Sequence, residues 1–281
     1  MNEKIITNEL INNFKIYLYE EEKSDNTIEK YMRDIRFFRE WLQSRHIDKS
    51  VVIEYKKELC KRYAVQSVNS MLSSINAFFV FMSWHDLKIK TLKIQRRIFA
   101  DKSKELTKTE YERLLIAAQK KKNERLYYLM QTMASTGLRA SEIKYVTCEA
   151  VKQGQAVINC KGKIRQIFLP EKLCQMLKIY IKSRNIESGP VFITRNGMPL
   201  DRSAIWKMLK NLCESANVDK SKVFPHNFRH LFARTFYSRQ KDVIRLADIL
   251  GHSSVETTRI YTMESGTEHI KQLQKLGLLR Y

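Results

Sequence analysis

The sequence predicts a mainly α-helical protein with one small β-sheet, an α+β fold in two domains. Proline and glycine are scarce, with 4 and 8 among 281 residues, which disfavours an all-β or collagen-like chain. Apolar residues recur at steps of three and four over most of the chain, the spacing that places them on one face of a helix. One stretch near the middle has the pattern of two short strands around a turn instead.

Residues 1–87 are predicted to be a helical domain. Asn26 and Glu29 make a capping-box pattern, and an apolar face follows it. That face carries Ile28, Tyr31, Ile35, Phe38 and Leu42. The predicted helices span residues 8–22, 26–44, 50–62 and 66–84. Because their connections are short, we expect them to pack as a four-helix bundle.

Residues 88–104 are predicted to form a basic interdomain linker, because the helical period lapses there. Two interpretations stay open: the segment is a solvated, partly extended connection, or it lies along a DNA phosphate backbone. The second interpretation makes its basic residues candidate DNA-binding residues. They are Lys88, Lys90, Lys93, Arg96, Arg97, Lys102 and Lys104.

Residues 105–281 are predicted to be a second domain. It opens with a capping box of Thr107 and Glu110, and its next helix, over residues 123–135, is followed by the helix-ending Gly137. The later predicted elements are strands 156–160 and 166–169 around the turn 161–163, then helices 171–184, 202–216, 227–239 and 242–250.

The charge balance indicates a polyanionic partner. Lys and Arg number 51 against 30 Asp and Glu, a net charge of +21, so nucleic acid and an anionic membrane surface are both candidates. The longest apolar run, residues 77–82, is far shorter than the roughly 18 residues of a membrane span. No signal-peptide pattern opens the chain, and the five cysteines contain no CxxC pair. We therefore expect a cytoplasmic protein with reduced thiols, which would be nucleoid-associated if its partner is DNA.

Three clusters in the second domain could act on a phosphodiester. Arg139 follows Gly137 where a helix begins, so its planar guanidinium can reach a phosphate beside free helix N–H groups. A surface pair between Arg139 and Glu142 is the plainer alternative. His226, Arg229 and His230 share one helix face.

Proton transfer by an imidazole beside a fixed cation suits phosphodiester chemistry. A zinc pair of His226 and His230 is disfavoured, since Asn227 stands where a metalloprotease carries glutamate. The third cluster joins His252, which follows a glycine at a predicted helix end, to Tyr261 nearby.

These motifs, in this order, resemble the signature of the tyrosine recombinase family, also called the phage integrase or Xer family. The matching stretches read TGLRASE at 136–142, HNFRH at 226–230 and LGHSS at 250–254, with Tyr261 nine residues after His252. The first domain is similar to the family's core-binding domain through Ser24, Asn26, Thr27, Tyr31 and Phe38. The resemblance implies a SAM-like four-helix core-binding domain followed by a tyrosine recombinase catalytic domain.

The hairpin departs from the family pattern G-K-G-x-K-x-R. Here it reads CKGKIR at 160–165 and is one residue shorter. Lys163, two residues before Arg165, is the better match for the family's catalytic lysine, and Lys161 stays an alternative.

The resemblance implies site-specific cleavage and rejoining of DNA through a 3′-phosphotyrosyl intermediate, without metal, cofactor or ATP. The chain carries no GxxxxGK[ST] run. Arg139 and Arg229 would hold the phosphate oxygens by charge-assisted hydrogen bonds, and Tyr261 would be the nucleophile. His226 would be the general base, His252 a phosphate ligand and Lys163 the general acid. Glu142 and His230 would support this set.

The same resemblance implies partners and assembly. The substrate would be double-stranded DNA with specific recombination sites, and strands would exchange through a Holliday junction in a homotetramer. A C-terminal helix with an apolar stripe of Ile270, Leu273, Leu276 and Leu279 would dock on a neighbouring protomer. Without an arm-binding domain or a long insertion between His230 and His252, the chain is expected to be an Xer-like or mobile-element recombinase.

Three different functions stay open on the sequence. They are a type IB topoisomerase, a DNA-binding protein that keeps the fold without activity, and a basic membrane-surface protein.

Overall fold

The computed structural model describes residues 4–43, 45–94, 102–160, 163–252, 254–262 and 274–275, without the side chains of Lys102, Cys160 and Lys163. The chain divides into two compact units, residues 1–96 and 97–281. The described residues are mainly helical with one two-stranded sheet, which confirms the predicted fold class. No helix in the described ranges is long and apolar enough to cross a membrane.

The first unit contains the four predicted helices. They are α1 (Asn8–Glu20), α2 (Asp25–Leu42), α3 (Lys49–Arg62) and α4 (Val65–Phe81). Their apolar faces meet in a core of their own, in which Phe14, Phe38, Phe78 and Phe79 are fully buried. The 3–4 spacing therefore identified the buried faces correctly.

The predicted capping box of Asn26 and Glu29 is wrong. Ser24 is the N-cap of α2, with extended backbone angles, and the helix begins at Asp25. Ser24 Oγ lies 2.9 Å from Thr27 Oγ1, so the two hydroxyls pair with each other. Asp25 stands in the first turn, where its carboxylate is favourable near the positive end of the helix dipole.

A buried carboxylate joins α2 to α4. Asp34 is 2% exposed, and its Oδ2 accepts from Lys30 Nζ at 2.6 Å and from Ser74 Oγ at 2.8 Å. Lys30 Nζ also donates to the carbonyl of Ser70 at 2.9 Å. A buried charge is tolerated only when it is paired and hydrogen-bonded, and these contacts meet that requirement.

Two asparagines hold the first part of the predicted linker against α4. The side-chain amide of Asn76 accepts from the backbone N–H of Ile89 at 3.0 Å and donates to its carbonyl at 2.8 Å. Asn69 makes the same pair of bonds with Leu92, at 2.7 and 2.9 Å. The segment from Ile89 to Leu92 is thus bound to α4 at both of its ends.

We expect Asn69→Ala to speed hydrogen exchange of the Leu92 amide about fivefold, because one hydrogen bond contributes roughly 1 kcal/mol. The Ile89 amide should keep its protection, since Asn76 is untouched. Residue-resolved hydrogen exchange checks this, and Asn76→Ala is the matched control with the opposite pattern. Equal acceleration at both amides in either variant would contradict two independent clamps.

Besides short 3₁₀ helices, the second unit contains seven α-helices and one hairpin among its described residues. They are α5 (Lys108–Lys120), α6 (Glu124–Thr136), α7 (Cys148–Gln153), β1 (Gln155–Cys160), β2 (Lys163–Phe168), α8 (Glu171–Ser183), α9 (Arg202–Lys210), α10 (Pro225–Gln240) and α11 (Val243–Leu250). The predicted capping box at Thr107 and Glu110 is confirmed at the start of α5, and Gly137 ends α6 in the left-handed conformation.

Two helix predictions in this unit need correction. The helix predicted over 202–216 ends at Lys210 and gives way to turns over 211–217, where Asn217 takes a left-handed backbone. Leu212 and Cys213 still pack in the core, so the apolar spacing that extended the prediction reflects burial rather than helix. Helix α7 was not predicted because its six residues are too short for a periodic signal. Its caps, Thr147 and Gly154, were the available clue.

The hairpin is antiparallel, and Cys160 is opposite Lys163 in its register. Lys163 therefore belongs to β2 rather than to the turn in which the sequence placed it. Lys161 and Gly162 lie outside the described residues. A connection of two residues is the commonest length for a hairpin, and this explains why the strand resumes at Lys163.

Candidate active site

Gly137 places the first predicted arginine. Its φ of +66° favours glycine, and a Cβ there would lie 2.6 Å from Phe232 Cδ1. The chain can then turn at once into a 3₁₀ helix, residues 140–145, with Arg139 at its N-cap. This places Arg139 beside the end of α6, close to the backbone carbonyl of Gly137, which accepts a hydrogen bond from Arg229.

Helix α10 carries three predicted residues on one face. Pro225 stands in its first turn, where the missing N–H costs nothing. The buried Asn227 side chain donates to the carbonyls of Lys104 and Lys222, at 2.8 and 2.7 Å, and so fixes the helix start. The rings of His226 and His230 meet edge to face with centroids 4.6 Å apart.

Arg229 is the buried centre of the site, with 1% of its surface exposed. Its Nη1 donates to the carbonyl of Gly137 at 2.6 Å, and its Nη2 donates to the carbonyl of Leu250 at 2.7 Å. Nη2 also lies 2.9 Å from His252 Nε2. In the described structure the buried Nε has no hydrogen-bond partner. One guanidinium therefore ties the ends of α6 and α11 to His252.

The contacts of His252 define its tautomer. A guanidinium only donates, so His252 Nε2 accepts from Arg229, and Nδ1 carries the proton. Nδ1 lies 2.8 Å from Oγ1 of the buried Thr258. A threonine hydroxyl can donate or accept, so Thr258 fits either tautomer of the ring.

Tyr261 packs between two imidazoles. It is 3% exposed, its ring meets His230 edge-on at 4.8 Å, and it lies nearly parallel to His252 at 6.1 Å. The imidazole of α10 in contact with the phenol ring is thus His230, while His226 contacts His230. The sequence pattern gave His230 a supporting place and did not foresee this contact.

A cavity of about 320 Å³ brings together Arg139, His226 and Arg229. Ser141, Trp206 and Arg202 line it as well. Arg202 was not predicted, although it begins α9 directly after the N-cap Asp201. A single basic residue at a helix start is the signal that identified Arg139, and the same signal would have identified Arg202.

Glu142 lies under two arginines. It is 4% exposed, and its Oε1 lies 2.9 Å from Nη1 of Arg139, whose side chain is exposed. The predicted pair is therefore formed, with a buried carboxylate and an exposed guanidinium. Glu142 Oε2 accepts from the backbone N–H of Arg139 at 2.8 Å and from Arg165 Nη2 at 2.5 Å.

The remaining predicted residues do not line this cavity, and several lie outside the described chain. Lys163 is described only as backbone in β2, and the alternative Lys161 is outside the described residues. Arg96, Arg97 and the apolar stripe from Ile270 to Leu279 lie outside them too. Among the linker lysines with described side chains, Lys88, Lys90, Lys93 and Lys104 are exposed. No group of three or more His, Cys, Asp or Glu that could hold a metal ion occurs in the described ranges.

Burial and positive neighbours keep the histidines of the site neutral. Burial, with His226 and Arg229 nearby, lowers the pKa of His230 to about 4. Burial lowers the pKa of His252 to about 4, and the positive charge of Arg229 makes the next largest contribution. The pKa of His226 is lowered for the same reasons. Burial also lowers the pKa of Arg229 to about 10, which leaves it a cation at neutral pH.

We expect the stability of the second unit to fall as the pH drops from about 6.5 towards 4. In that range the unfolded chain binds protons on His230 and His252 that the folded chain does not, and this favours unfolding. Replacing His230 with asparagine should lessen the loss. Denaturant midpoints at pH 7 and pH 5 for both proteins check this, and an equal decrease in both would contradict it.

Family models and known proteins match nearly the whole chain. Residues 104–268 match the model of the phage integrase family, and residues 11–86 match the phage integrase N-terminal SAM-like domain. In an alignment of 292 positions the chain is 29% identical to tyrosine recombinase XerA of Pyrococcus furiosus, and the alignment covers 99% of this chain and 98% of that protein. The chain is 26% identical to tyrosine recombinase XerD of Halalkalibacterium halodurans, covering 85% and 87%.

Solved structures share the fold. The crystal structure of XerA recombinase matches with a TM-score of 0.54 at 25% identity, covering 98% of this chain and 100% of that one. A lambda integrase dimer bound to a core site matches with a TM-score of 0.73 at 16% identity, covering 92% and 96%.

Proposed function

The chain belongs to the phage integrase family of tyrosine recombinases, and from this premise we propose how its residues cut and rejoin DNA. It is a tyrosine-type site-specific recombinase of the Xer-like kind. The proposed reaction passes through a 3′-phosphotyrosyl bond and needs neither a metal ion nor ATP. The observation that carries the proposal is the convergence of Arg139, His226 and Arg229 on one cavity, with Arg229 in contact with His252.

In the first step the phenol oxygen of Tyr261 attacks the phosphorus. The new bond joins phosphorus to the tyrosine, and the bond to the 5′-oxygen of the next nucleotide breaks. His226 takes the phenol proton, which the lowered pKa of this imidazole supports because the ring is neutral at pH 7. Lys163 gives a proton to the leaving 5′-oxygen. In the second step a 5′-hydroxyl from a partner strand attacks the phosphorus, and the bond to Tyr261 breaks. Lys163 takes the hydroxyl proton and His226 returns a proton to the phenol oxygen, so one phosphodiester bond replaces another and the bond energy is conserved.

The two arginines stabilise the charge that gathers on the non-bridging oxygens. The guanidinium of Arg139 is held in place by its ion pair with Glu142. Arg229 offers its unpartnered Nε, and His252 adds a third donor once its contact with Arg229 opens and its Nε2 carries the proton. Thr258 can then donate to Nδ1 instead of accepting from it. One such donor contributes on the order of 3–4 kcal/mol to the transition state.

The buried phenol sets a condition on this chemistry. Only 3% of Tyr261 is exposed, so the 3₁₀ turn Arg259–Tyr261 must shift before the oxygen can reach a phosphate in the cavity. In this proposal the edge-on contact with His230 orients the phenol ring, and His230 takes no part in proton transfer.

The proposed substrate is double-stranded DNA with specific recombination sites. Structures similar to this one are an XerH recombinase bound to its difH substrate and a Tn1549 transposon integrase in complex with transposon end DNA. In this chain the first unit groups four lysines: the exposed Lys49 donates from Nζ to the carbonyl of Lys88, and the half-buried Lys56 donates from Nζ to that of Lys90 at 2.7 Å. These cations support binding of a phosphate backbone, with the remaining linker cations as further contacts.

We also propose a homotetramer that exchanges strands through a Holliday junction, with the C-terminal segment docked on a neighbouring protomer. An apolar groove of about 520 Å³ in the second unit supports this, since its lining includes Tyr111, Leu173, Met176, Phe232 and Phe236. The stripe of leucines and isoleucine near the C-terminus has a matching apolar character.

Deleting residues 268–281 is expected to leave DNA binding intact and to abolish synaptic complexes, because each protomer loses its apolar contact to the next. Gel-shift titration and sizing of the protein–DNA complexes check this. Unchanged recombination by the shortened chain would rule out the docking role.

The function is tested by trapping the covalent intermediate. Cells that express the protein are lysed in detergent, protein–DNA adducts are isolated, and the attached 3′ ends are sequenced. A nicked duplex of the recovered site then serves as substrate, and the modified peptide should contain Tyr261. An absence of adducts in cells would contradict the proposal and leave a DNA-binding protein without activity.

A type IB topoisomerase and a basic membrane-surface protein would each give a different experimental result. The topoisomerase relaxes supercoiled plasmids that lack the recovered site, whereas the proposed enzyme requires a pair of sites. The membrane-surface protein binds anionic liposomes more tightly than duplex DNA.

A further inference from the structure

Arg165 connects the hairpin to the rest of the catalytic cluster. It lies in β2, two residues after Lys163, and most of its side chain is buried. Its Nη2 pairs with Glu142 Oε2 at 2.5 Å, and its Nη1 donates to the carbonyl of Leu250. The guanidinium also covers Gly251 so closely that a Cβ at that position would overlap it.

Each of these three contacts belongs to the reaction site. Glu142 also holds Arg139. The carbonyl of Leu250 also accepts from Arg229 at 2.7 Å. Gly251, with φ of +63°, directly precedes His252. Arg165 is therefore bonded to the groups that hold both arginines, and it contacts the residue before the histidine.

The other strand of the hairpin has its own anchor. Tyr145 Oη donates to the carbonyl of Asn159 in β1 at 2.5 Å, and Tyr145 belongs to the same 3₁₀ helix as Glu142. The two strands are thus tied to one short helix. On β2 the anchor is a charged group paired with a buried carboxylate, which is stronger than a bond between neutral groups.

We propose that Arg165 is a positioning residue for protonation of the leaving group. Two residues of strand span about 6.6 Å, so the bonds of Arg165 fix the backbone of Lys163 relative to Arg139, Arg229 and His252. Without Arg165 the hairpin keeps its backbone hydrogen bonds, but the position of Lys163 relative to the bound phosphate is no longer fixed. A misplacement of about 1 Å is enough to reduce a rate 100-fold. This inference rests on the proposed role of Lys163 as general acid.

The test compares two DNA substrates that differ in one atom. In the first, the leaving group is the natural 5′-oxygen. In the second, the bridging oxygen is replaced by sulfur, which departs as a thiolate and needs no proton. A variant that has lost only the delivery of the proton should recover on the sulfur substrate, whereas a variant with a damaged phosphate clamp should not.

We expect Arg165→Ala to cleave the oxygen substrate about 100-fold more slowly than the wild type, and to cleave the sulfur substrate within a few-fold of the wild-type rate. DNA affinity should be unchanged. Arg165→Lys keeps the charge but cannot form the same paired bonds, and it should show a smaller defect with the same recovery. If the alanine variant does not fold, the lysine variant carries the test alone.

Three further variants make the result interpretable. Gln166→Ala, on the exposed side of the same strand, should behave as wild type on both substrates. Arg139→Ala should be slow on both, because it acts on the phosphate itself. Lys163→Ala should be slow on oxygen and recover on sulfur.

Two outcomes would overturn the proposals, and they differ. If Arg165 variants are equally slow on both substrates while Lys163→Ala recovers on sulfur, the positioning role fails and the proposed function stands. If Lys163→Ala does not recover, then Lys163 is not the general acid, and the inference about Arg165 fails with it.

Discussion

Replacing Tyr261 with phenylalanine is expected to abolish covalent attachment to DNA and leave the fold intact. The change removes one oxygen, the proposed nucleophile, and loss of a nucleophile reduces a rate by roughly 10⁶-fold. The aromatic contacts with His230 and His252 do not depend on the hydroxyl, so packing should persist. Denaturing electrophoresis of the protein with a labelled nicked duplex measures the adduct.

Tyr237 provides the matched control for this prediction. It is a partly buried tyrosine of α10 that packs against the same small apolar cluster, formed by Ala233, Leu246, Leu250 and Tyr261. Tyr237→Phe should form the adduct at the wild-type rate. An adduct on Tyr261→Phe at a comparable rate would mean that another residue attacks the phosphate, and the site proposed for the nucleophile would be wrong.

Replacing Arg229 with alanine is expected to reduce both cleavage and stability. Loss of a charged donor at the phosphate should lower the cleavage rate by about 10²–10³-fold. The same change leaves the buried carbonyl of Gly137 without its donor, at a cost of about 1–3 kcal/mol, whereas the carbonyl of Leu250 keeps its bond from Arg165. Single-turnover cleavage at saturating protein and denaturant unfolding measure the two effects separately.

Arg229→Lys distinguishes charge from geometry. A lysine keeps the positive charge but lacks the planar fork that reaches both carbonyls and His252 at once. We expect it to lose most of the cleavage activity as well. Arg245→Ala, an exposed arginine of α11, should change neither quantity. Wild-type cleavage by the lysine variant would mean that charge alone is required at this position.

Local signals predicted the helices because caps and apolar spacing are properties of neighbouring residues. Thr107 with Glu110, and Gly137 after α6, were confirmed for this reason. The capping box at Asn26 was wrong because Ser24 and Thr27 offered a competing hydroxyl pair two residues earlier. Such competition depends on side-chain rotamers, which a sequence pattern does not describe.

The sequence predicted which residues form the site better than it predicted the contacts between them. Spacing alone placed His226, Arg229 and His230 on one helix face. It could not reveal that Arg229 would be buried against two carbonyls, since those belong to segments 92 and 21 residues away in the chain. The contact of Tyr261 with His230 and the link from Arg165 to Leu250 are long-range for the same reason.

The paired amides of Asn69 and Asn76 also determine where the chain tolerates a change of length. Seven residues of helix rise about 10.5 Å, and three residues of extended chain cover about 10 Å, so the interval from Asn69 to Asn76 matches that from Leu92 to Ile89. One residue inserted within 89–92 would leave only one asparagine matched to its backbone partner. Insertions that lengthen the connection between the two units should therefore be accepted after Leu92 and resisted before it.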